Sequence, residues 1–249
     1  MLLPEKTAIV YGAGGAIGGA VARRFAEEGA RVHLAGRTRA TLERTAEQIR
    51  AVGGVPEVAE VDALDAEAVD RHAARVAQQD GGIHISFNLI SHGDVQGTPM
   101  VEMDVEDYLR PVATAVRTNF LSATAGARHM GPGGVILFFG GEGDPPRGWS
   151  LGGLQTAFHA LEAMRRQLAT ELGERGIRTV TLRTGGVPES IRDDSERRDQ
   201  IAESIAEASL IGRAATLDDV ANVAAFVASD QARTMTAATV NVSAGALLD

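Results

Sequence analysis

Residues 7–19 read TAIVYGAGGAIGG, an apolar run that passes directly into a glycine-rich loop. The run is uninterrupted, as expected for a strand that is buried on both faces of a parallel sheet. The glycines allow the backbone to turn tightly and to approach a pyrophosphate closely. Beyond them, Ile17, Val21 and Phe25 repeat at helical spacing and predict a helix whose free N–H groups point at that anion. The stretch therefore predicts a strand, a phosphate loop and a helix, with a glycine-rich turn that binds no ligand as the alternative.

Further apolar runs alternate along the chain with segments of helical periodicity, such as the stripe formed by Leu42, Ala46 and Ile49. This alternation predicts an α/β fold, a single-domain, doubly wound, Rossmann-like parallel sheet of about seven strands with helices on both faces. The sequence contains no linker, repeat or low-complexity tract, so residues 1–249 are predicted to form one domain. The predicted strands are Thr7–Tyr11, Arg31–Gly36, Val55–Asp62, Ile83–Ile90, Gly134–Gly140, Arg178–Thr184 and Ala238–Ala244.

The bulk composition excludes several classes of function. The 249 residues carry a net charge of −9, which argues against a non-specific nucleic-acid surface. The chain has no cysteine, so disulfides, thiolate zinc sites and thiol nucleophiles are excluded. A signal-peptide pattern is also missing, as is any apolar stretch approaching the roughly 20 residues that span a bilayer. We therefore predict a soluble, cytoplasmic protein with no nucleic-acid partner, no membrane partner and no metal site.

One long segment, Glu189–Glu207, is much more polar than its surroundings. One interpretation is a pair of solvated helices. The other is a mobile lid, because ligands of doubly wound sheets bind beyond the carboxyl ends of the strands.

The tip of the second predicted strand carries the feature that distinguishes between dinucleotides. A carboxylate at this point would bind a ribose 2′-hydroxyl and repel a 2′-phosphate. This chain has Gly36 there, followed by Arg37 and Thr38. A guanidinium suits bidentate contact with a phosphate, so the sequence favours NADP(H) over NAD(H). The alternative is an ordinary surface arginine on an exposed turn.

The order of these motifs resembles the short-chain dehydrogenase/reductase family over nearly the whole chain. The loop is similar to that family's Thr-Gly-x-x-x-Gly-x-Gly motif, in which Gly12 and Gly18 match the outer glycines. Ala16 stands at the middle glycine, and Tyr11 stands at the threonine. The resemblance implies dinucleotide binding by Gly12, Ala13, Gly14, Gly15, Ala16, Ile17, Gly18, Arg37, Thr38, Asp62, Ala63, Asn88, Gly185 and Val187.

One of these positions has two competing interpretations. In the family, an aspartate at the end of the third strand accepts a hydrogen bond from the adenine amino group, and Asp62 matches it. The other interpretation is that Asp62 caps the helix that follows. Asp65 is the better candidate for that cap, because Ala66 and Glu67 open the helical stripe.

The residues that transfer the proton in this family have no counterpart here. The family places a serine at the end of its fifth strand and Tyr-x-x-x-Lys on the next helix, where the lysine lowers the tyrosine pKa. In this chain the corresponding positions are Gly141, Leu154 and Phe158. None of these side chains can donate or accept a proton. The resemblance therefore implies an atypical member of the family.

Three other polar residues are candidates for the catalytic role. Asn119 matches the helix asparagine of the family's catalytic tetrad, His92 follows the fourth strand, and Glu142 follows the position of the serine. A histidine exchanges protons near neutral pH, and a desolvated glutamate can be tuned to do so. The alternative is that His92 and Glu142 are rim or surface residues, and that Asn119 is a buried, hydrogen-bonded polar residue.

The predicted function is an NADP(H)-binding, short-chain dehydrogenase/reductase-like oxidoreductase that acts on a small carbonyl or alcohol compound with atypical proton delivery. NAD is the less favoured cofactor. The alternative is a catalytically inactive dinucleotide-binding subunit that senses the ligand or serves a partner. The resemblance also implies a homo-oligomer, a tetramer or a dimer, in which helices at Val101–Arg128 and Gly152–Glu174 pair across a two-fold axis.

Overall fold

A seven-stranded parallel sheet forms the centre of the computed structural model, which describes residues 1–141, 150–191 and 195–248. The strands are β1 (Thr7–Tyr11), β2 (Arg31–Gly36), β3 (Pro56–Glu60), β4 (Ile85–Asn88), β5 (Val135–Gly140), β6 (Arg178–Arg183) and β7 (Ala238–Asn241). Their spatial order is β3-β2-β1-β4-β5-β6-β7. After β3, the chain therefore crosses back to the other side of β1, and β4 to β7 extend the sheet in the opposite direction. The gap between β1 and β4 is the switch point at which doubly wound folds bind ligands. The predicted fold class is confirmed.

Helices cover both faces of this sheet. They are α1 (Ala16–Glu27), α2 (Arg39–Ala51), α3 (Ala66–Asp80), α4 (Val105–Arg128), α5 (Leu154–Leu172), α6 (Ser195–Ala208) and α7 (Leu217–Ala228). The first core lies under α1, α2 and α7, with Phe25 and Val220 fully buried in it. The second lies under α3, α4 and α5, and contains Val69 and Leu161. Within the described ranges, no helix is long and apolar enough to cross a membrane.

Two strands are shorter than their apolar runs. β3 and β4 occupy only part of the predicted runs Val55–Asp62 and Ile83–Ile90. Apolar character records burial, and burial extends past the hydrogen-bonded ladder. Ile83, for example, is buried, but its N–H donates to the carbonyl of His129 at the end of α4 instead of to a neighbouring strand.

The two long helices begin later than predicted. The segment predicted to be helical from Val101 first forms a short 3₁₀ turn, Met100–Glu102, and α4 then begins at Val105. The helix predicted over Gly152–Glu174 begins at Leu154, and its last turn tightens into a 3₁₀ turn, Gly173–Arg175. Tightening of this kind is common at helix ends.

The competition between two aspartates for the start of α3 is decided by hydrogen bonds. The Asp65 carboxylate accepts from the N–H groups of Glu67 at 3.0 Å and Ala68 at 3.2 Å, so Asp65 is the N-cap. The Asp62 carboxylate instead accepts from the N–H of Leu64 at 3.0 Å. The interpretation of Asp62 as the helix cap is therefore wrong.

The polar segment Glu189–Glu207 is only partly described. A 3₁₀ turn at Pro188–Ser190 overlaps its beginning, and α6 forms the whole of its second half. Residues 192–194 lie outside the described residues. The interpretation of this segment as a lid stays a prediction.

A chain of buried titratable side chains crosses the face of the sheet that α3 covers. His33 Nε2 lies 2.7 Å from Asp80 Oδ2, and the His33 ring lies edge-on to His72 with ring centroids 6.4 Å apart. His72 Nδ1 accepts a hydrogen bond of 3.1 Å from Arg75 Nη2, because an arginine can only donate. Burial, reinforced by the charges of Arg75 and His33, lowers the pKa of His72 to about 4.

We expect His72 to make the fold sensitive to acid. Its pKa of about 4 in the folded chain lies below the ordinary histidine value of 6.5, so the unfolded chain binds more protons between these two values. Through this one group, the free energy of unfolding should fall by about 3 kcal/mol as the pH is lowered across that window. Urea denaturation at both ends of the window measures the change, which His72→Leu should lack.

The matched control for this experiment is His159→Leu, an exposed position on α5. This variant should keep the full pH dependence of the parent chain. An equal loss of stability in the parent chain and in His72→Leu would contradict the prediction.

Candidate dinucleotide and substrate cleft

An open cleft of about 920 Å³ lies at the carboxyl ends of the strands. Its walls come from the loops that follow β1, β2, β3, β4 and β6, and from the facing sides of α4 and α5. Residues far apart in the chain meet there, because parallel strands all end at the same edge of the sheet. This is the position at which open α/β sheets bind their ligands.

Three glycines of the loop after β1 have no room for a side chain. Gly12 has φ +78, and a Cβ built on it would lie 2.5 Å from the carbonyl oxygen of Leu89. A Cβ on Gly18 would overlap the carbonyl oxygen of Gly12, and one on Gly14 would overlap the Thr41 hydroxyl. The loop therefore brings backbone N–H groups to the surface of the cleft at the start of α1. Such a cradle fits a pyrophosphate.

Most residues predicted to contact the dinucleotide border the cleft. They are Gly12, Gly14, Gly15, Ala16, Ile17, Gly18, Arg37, Thr38, Asp62, Ala63, Asn88 and Val187. Asn88 is buried, and its amide group donates to Ser122 Oγ at 3.1 Å and accepts from the N–H of Ile90 at 3.1 Å. These two bonds hold the beginning of the loop after β4 against α4.

Two predicted contact residues lie behind the cleft wall. Ala13 is fully buried in the core, and its carbonyl accepts from the Thr45 hydroxyl at 2.9 Å. Gly185 faces the C-terminal segment, since a Cβ built on it would lie 3.0 Å from the Ala246 side chain. Alternate residues of an extended loop point in opposite directions, so the neighbours of Gly185 border the cleft instead.

Arg37 has the environment of a free anion-binding group. It is exposed and borders the cleft at the tip of β2. Among the described residues, no carboxylate pairs with it. By contrast, Arg39 two residues later is bound to Glu43 at 3.1 Å on its own helix.

The inner end of the cleft is apolar. Leu154 and Phe158 lie one turn apart on α5 and both border the cleft. A Cβ built on Gly141 would lie 3.2 Å from the Phe158 ring and 3.1 Å from the Thr184 carbonyl oxygen. The Phe158 ring therefore fills the space into which a side chain at position 141 would extend.

His92 is the candidate proton-transfer residue that the structure brings into this end of the cleft. Its ring packs edge-on against Phe158, with centroids 5.9 Å apart. Burial lowers the pKa of His92, and the nearby Asp94 opposes this effect only in part. The imidazole is therefore neutral at neutral pH, which is the form that accepts a proton.

Of the other two candidates, only Asn119 is among the described residues, and it does not border the cleft. Asn119 is buried, and its Nδ2 donates to the carbonyl of Ala115 at 2.9 Å, as in the buried-residue interpretation. From the same helix, Thr114 and Thr118 border the cleft in its place. Glu142 lies outside the described residues.

Sequence reasoning missed several polar residues that border the cleft. They are Ser91, Asp94, Gln96, Arg110, Thr114 and Ser190. The positions after β4 could have been found, because they follow a predicted strand end. Arg110 and Thr114 carry no such signal, since their place depends on how α4 crosses the sheet. Among the described residues, no group of three or more potential ligands is arranged to hold a metal ion.

Comparisons with known proteins agree with this geometry. A family model described as Enoyl-(Acyl carrier protein) reductase matches residues 12–246. L-rhamnose 1-dehydrogenase (NAD(P)(+)) of Azotobacter vinelandii is 30% identical over 260 residues, with 98% of each chain covered. Meso-2,3-butanediol dehydrogenase of Serratia marcescens is 28% identical, covering 99% of this chain and 96% of that protein. The crystal structure of a short chain dehydrogenase from Burkholderia cenocepacia in complex with NADP has a TM-score of 0.86 at 25% identity, with 99% of both chains covered.

The chain belongs to the short-chain dehydrogenase/reductase family. Proteins of this family are oxidoreductases that bind NAD(P), and the glycine cradle of this chain fits that ligand.

Proposed function

We propose that this protein is an NADP(H)-dependent oxidoreductase that interconverts a small alcohol and its carbonyl compound, with NAD(H) as the less favoured cofactor. The observation that carries the proposal is the exposed Arg37 guanidinium, which shares one cleft with the glycine cradle. The cradle would hold the pyrophosphate, and Arg37 with Thr38 would hold a 2′-phosphate. Asp62 and Ala63 would border the adenine. Thr184 and Val187 would border the nicotinamide end.

The chemistry proposed for the inner end of the cleft uses an unusual set of residues. In this proposal, Gly141, Leu154 and Phe158 stand in the places of the family's serine, tyrosine and lysine. The bound dinucleotide would supply the hydride acceptor. Leu154 and Phe158 would exclude water beside it, and neutral His92 would accept the hydroxyl proton of the alcohol. Buried Asn119 would stabilise α4 behind the site.

The relatives support an alcohol as substrate. Two of them are named as dehydrogenases, of L-rhamnose and of meso-2,3-butanediol. The first is named with either NAD or NADP, and the neighbouring structure from Burkholderia cenocepacia holds NADP. A cofactor preference in this chain therefore depends on its own residues at the tip of β2.

Replacing Arg37 with glutamate should change the cofactor preference. The substitution removes a charge-assisted contact to the 2′-phosphate and adds a repulsion, so NADPH binding should weaken by roughly 30-fold or more while NADH binding changes little. Fluorescence titration of both cofactors measures the two dissociation constants. Arg39→Glu is the matched control, because Arg39 is already bound to Glu43. Equal affinity of the parent chain for NADPH and NADH would refute the preference.

The catalytic part of the proposal is tested by turnover. Purified protein should reduce NADP⁺ with one or more alcohols of a panel, and His92→Phe should lower kcat by roughly 100-fold through loss of the proton acceptor. His159→Phe, on the exposed side of α5, is the control. NADPH binding without turnover of any alcohol or carbonyl would instead support the alternative of an inactive dinucleotide-binding subunit.

We further propose a cytoplasmic homo-oligomer, a dimer or a tetramer, that pairs through α4 and α5. The apolar side chains Leu109 and Phe120 on α4 are 47% and 51% exposed and lie three turns apart, on the same side of the helix. A two-fold axis beside α4 would bury both.

A further inference from the structure

We infer that the substrate is a neutral compound with two neighbouring hydroxyl groups, of which one is oxidised and the other is bound by Asp94, Arg110 and Thr114. This inference rests on the proposed function and names its substrate class. The three residues border the same cleft as His92. None of them belongs to the dinucleotide cradle or to the positions that correspond to the family's catalytic residues.

The position of Arg110 is set by the loop that carries His92 and Asp94. A Cβ built on Gly93 would lie 3.4 Å from Arg110 Cδ, so the arginine side chain packs against this loop. Gly93 has φ +72, which turns the backbone between the two side chains. Arg110 Nη2 donates to Asp107 Oδ1 at 2.5 Å, one turn earlier on α4, and this bond restrains the guanidinium.

These side chains have unused hydrogen-bonding capacity. Asp94 Oδ2 accepts from Gln96 Nε2 at 2.6 Å, which leaves most of the carboxylate lone pairs open. Arg110 has five N–H donors and uses one on Asp107 among the described residues. The carbonyl of Thr114 accepts from the Thr118 hydroxyl at 2.8 Å, whereas the Thr114 hydroxyl has no partner within the described ranges. The cleft therefore offers both free donors and free acceptors.

The mixture of charges selects against ionic substrates. Asp94 would repel a carboxylate, and Arg110 would repel an ammonium group. A hydroxyl group both donates and accepts, so it can satisfy Arg110 and Asp94 together. The apolar surface of Leu154 and Phe158 then suits the C–H face of the same molecule.

In the proposed reaction, the alcohol, NADP⁺ and His92 account for every atom and electron that is transferred. The C–H bond of the reacting carbinol breaks, and its hydride passes to NADP⁺. The O–H proton of the same carbon passes to His92, and a C=O bond forms. The second hydroxyl keeps its hydrogen and takes no part in the chemistry. The products are a hydroxyketone, NADPH and one proton, which His92 releases to solvent.

The test compares matched alcohols with NADP⁺ as oxidant. The value of kcat/KM for cis-1,2-cyclohexanediol should exceed that for cyclohexanol by about tenfold or more, mainly through KM. Asp94→Asn, Arg110→Met and Thr114→Val should each reduce this diol-to-monool ratio by about tenfold. Arg71→Met is the control, because Arg71 is also an exposed arginine paired on its own helix, with Glu67 at 3.0 Å, but lies on α3.

A second measurement does not need turnover. With NADPH bound, the diol should raise the melting temperature of the complex more than the monool does, and the three variants should lose the difference. A chain that binds neither dinucleotide would refute the proposed function itself. If NADPH binds, equal effects of diol and monool would overturn the inference. The alcohols tested should also include 3-hydroxybutyrate, which is anionic, and 2-aminocyclohexanol, which is cationic. A preference for either of these two over the diol would likewise overturn the inference.

Discussion

Replacing Gly12 with alanine should weaken NADPH binding by at least about 100-fold and lower the free energy of unfolding by about 3 kcal/mol. Two costs combine at this position. The backbone has φ +78, which alanine adopts only with strain, and the new Cβ would lie 2.5 Å from the carbonyl oxygen of Leu89. The nearest atoms belong to the backbone of Leu89 and Ile90, so the loop itself must move. Because the loop is the proposed pyrophosphate cradle, its displacement removes the N–H groups from the ligand.

Gly53→Ala is the matched control for this substitution. Gly53 also has a left-handed backbone, with φ +82, but a Cβ there would meet nothing within 4 Å. Only the conformational cost of about 1 kcal/mol should appear, and NADPH binding should be unchanged. Urea denaturation and fluorescence titration of the two variants separate the effects. Equally tight binding of NADPH by Gly12→Ala and Gly53→Ala would contradict the assignment of this loop as the pyrophosphate site.

Replacing Arg165 with methionine should destabilise the fold by about 3–5 kcal/mol. Arg165 and Glu162 form a buried ion pair on α5, with Nη2 2.6 Å from Oε2 and side-chain exposures of 4% and 2%. Burial raises the pKa of Glu162, but hydrogen bonds from Arg165 and Thr181 outweigh it, so the pKa lies below its ordinary value. Without Arg165, the carboxylate would be buried with its charge uncompensated. Urea denaturation at neutral pH measures the loss.

The double substitution Glu162→Met with Arg165→Met is the informative comparison. Arg165 Nη1 is buried and has no hydrogen-bond partner among the described residues, so the pair is not fully satisfied. Removing both charges should therefore recover most of the stability that Arg165→Met loses. If the double variant were as unstable as the sum of two single losses, the pair would be contributing net stability and the argument from desolvation would fail.

Local features of the fold could be predicted from the sequence. The strands follow from uninterrupted apolar runs, and the phosphate loop follows from glycines between such a run and a helical stripe. Asp65 was recognisable as a cap because capping involves N–H groups only two and three residues away. The exact strand ends were not recognisable, because burial and ladder pairing coincide only in the middle of a strand.

The inner end of the cleft could be described only from the tertiary structure. The sequence by itself determined the fold class, the glycine cradle and the apolar character of Leu154 and Phe158, since these depend on residue type and short-range spacing. Only the tertiary structure decided that His92 packs on Phe158, and that Arg110 lies against Gly93. These contacts join elements that are distant in the chain. They depend on how α4 and α5 cross the sheet, which follows from packing of the whole core and not from any local pattern.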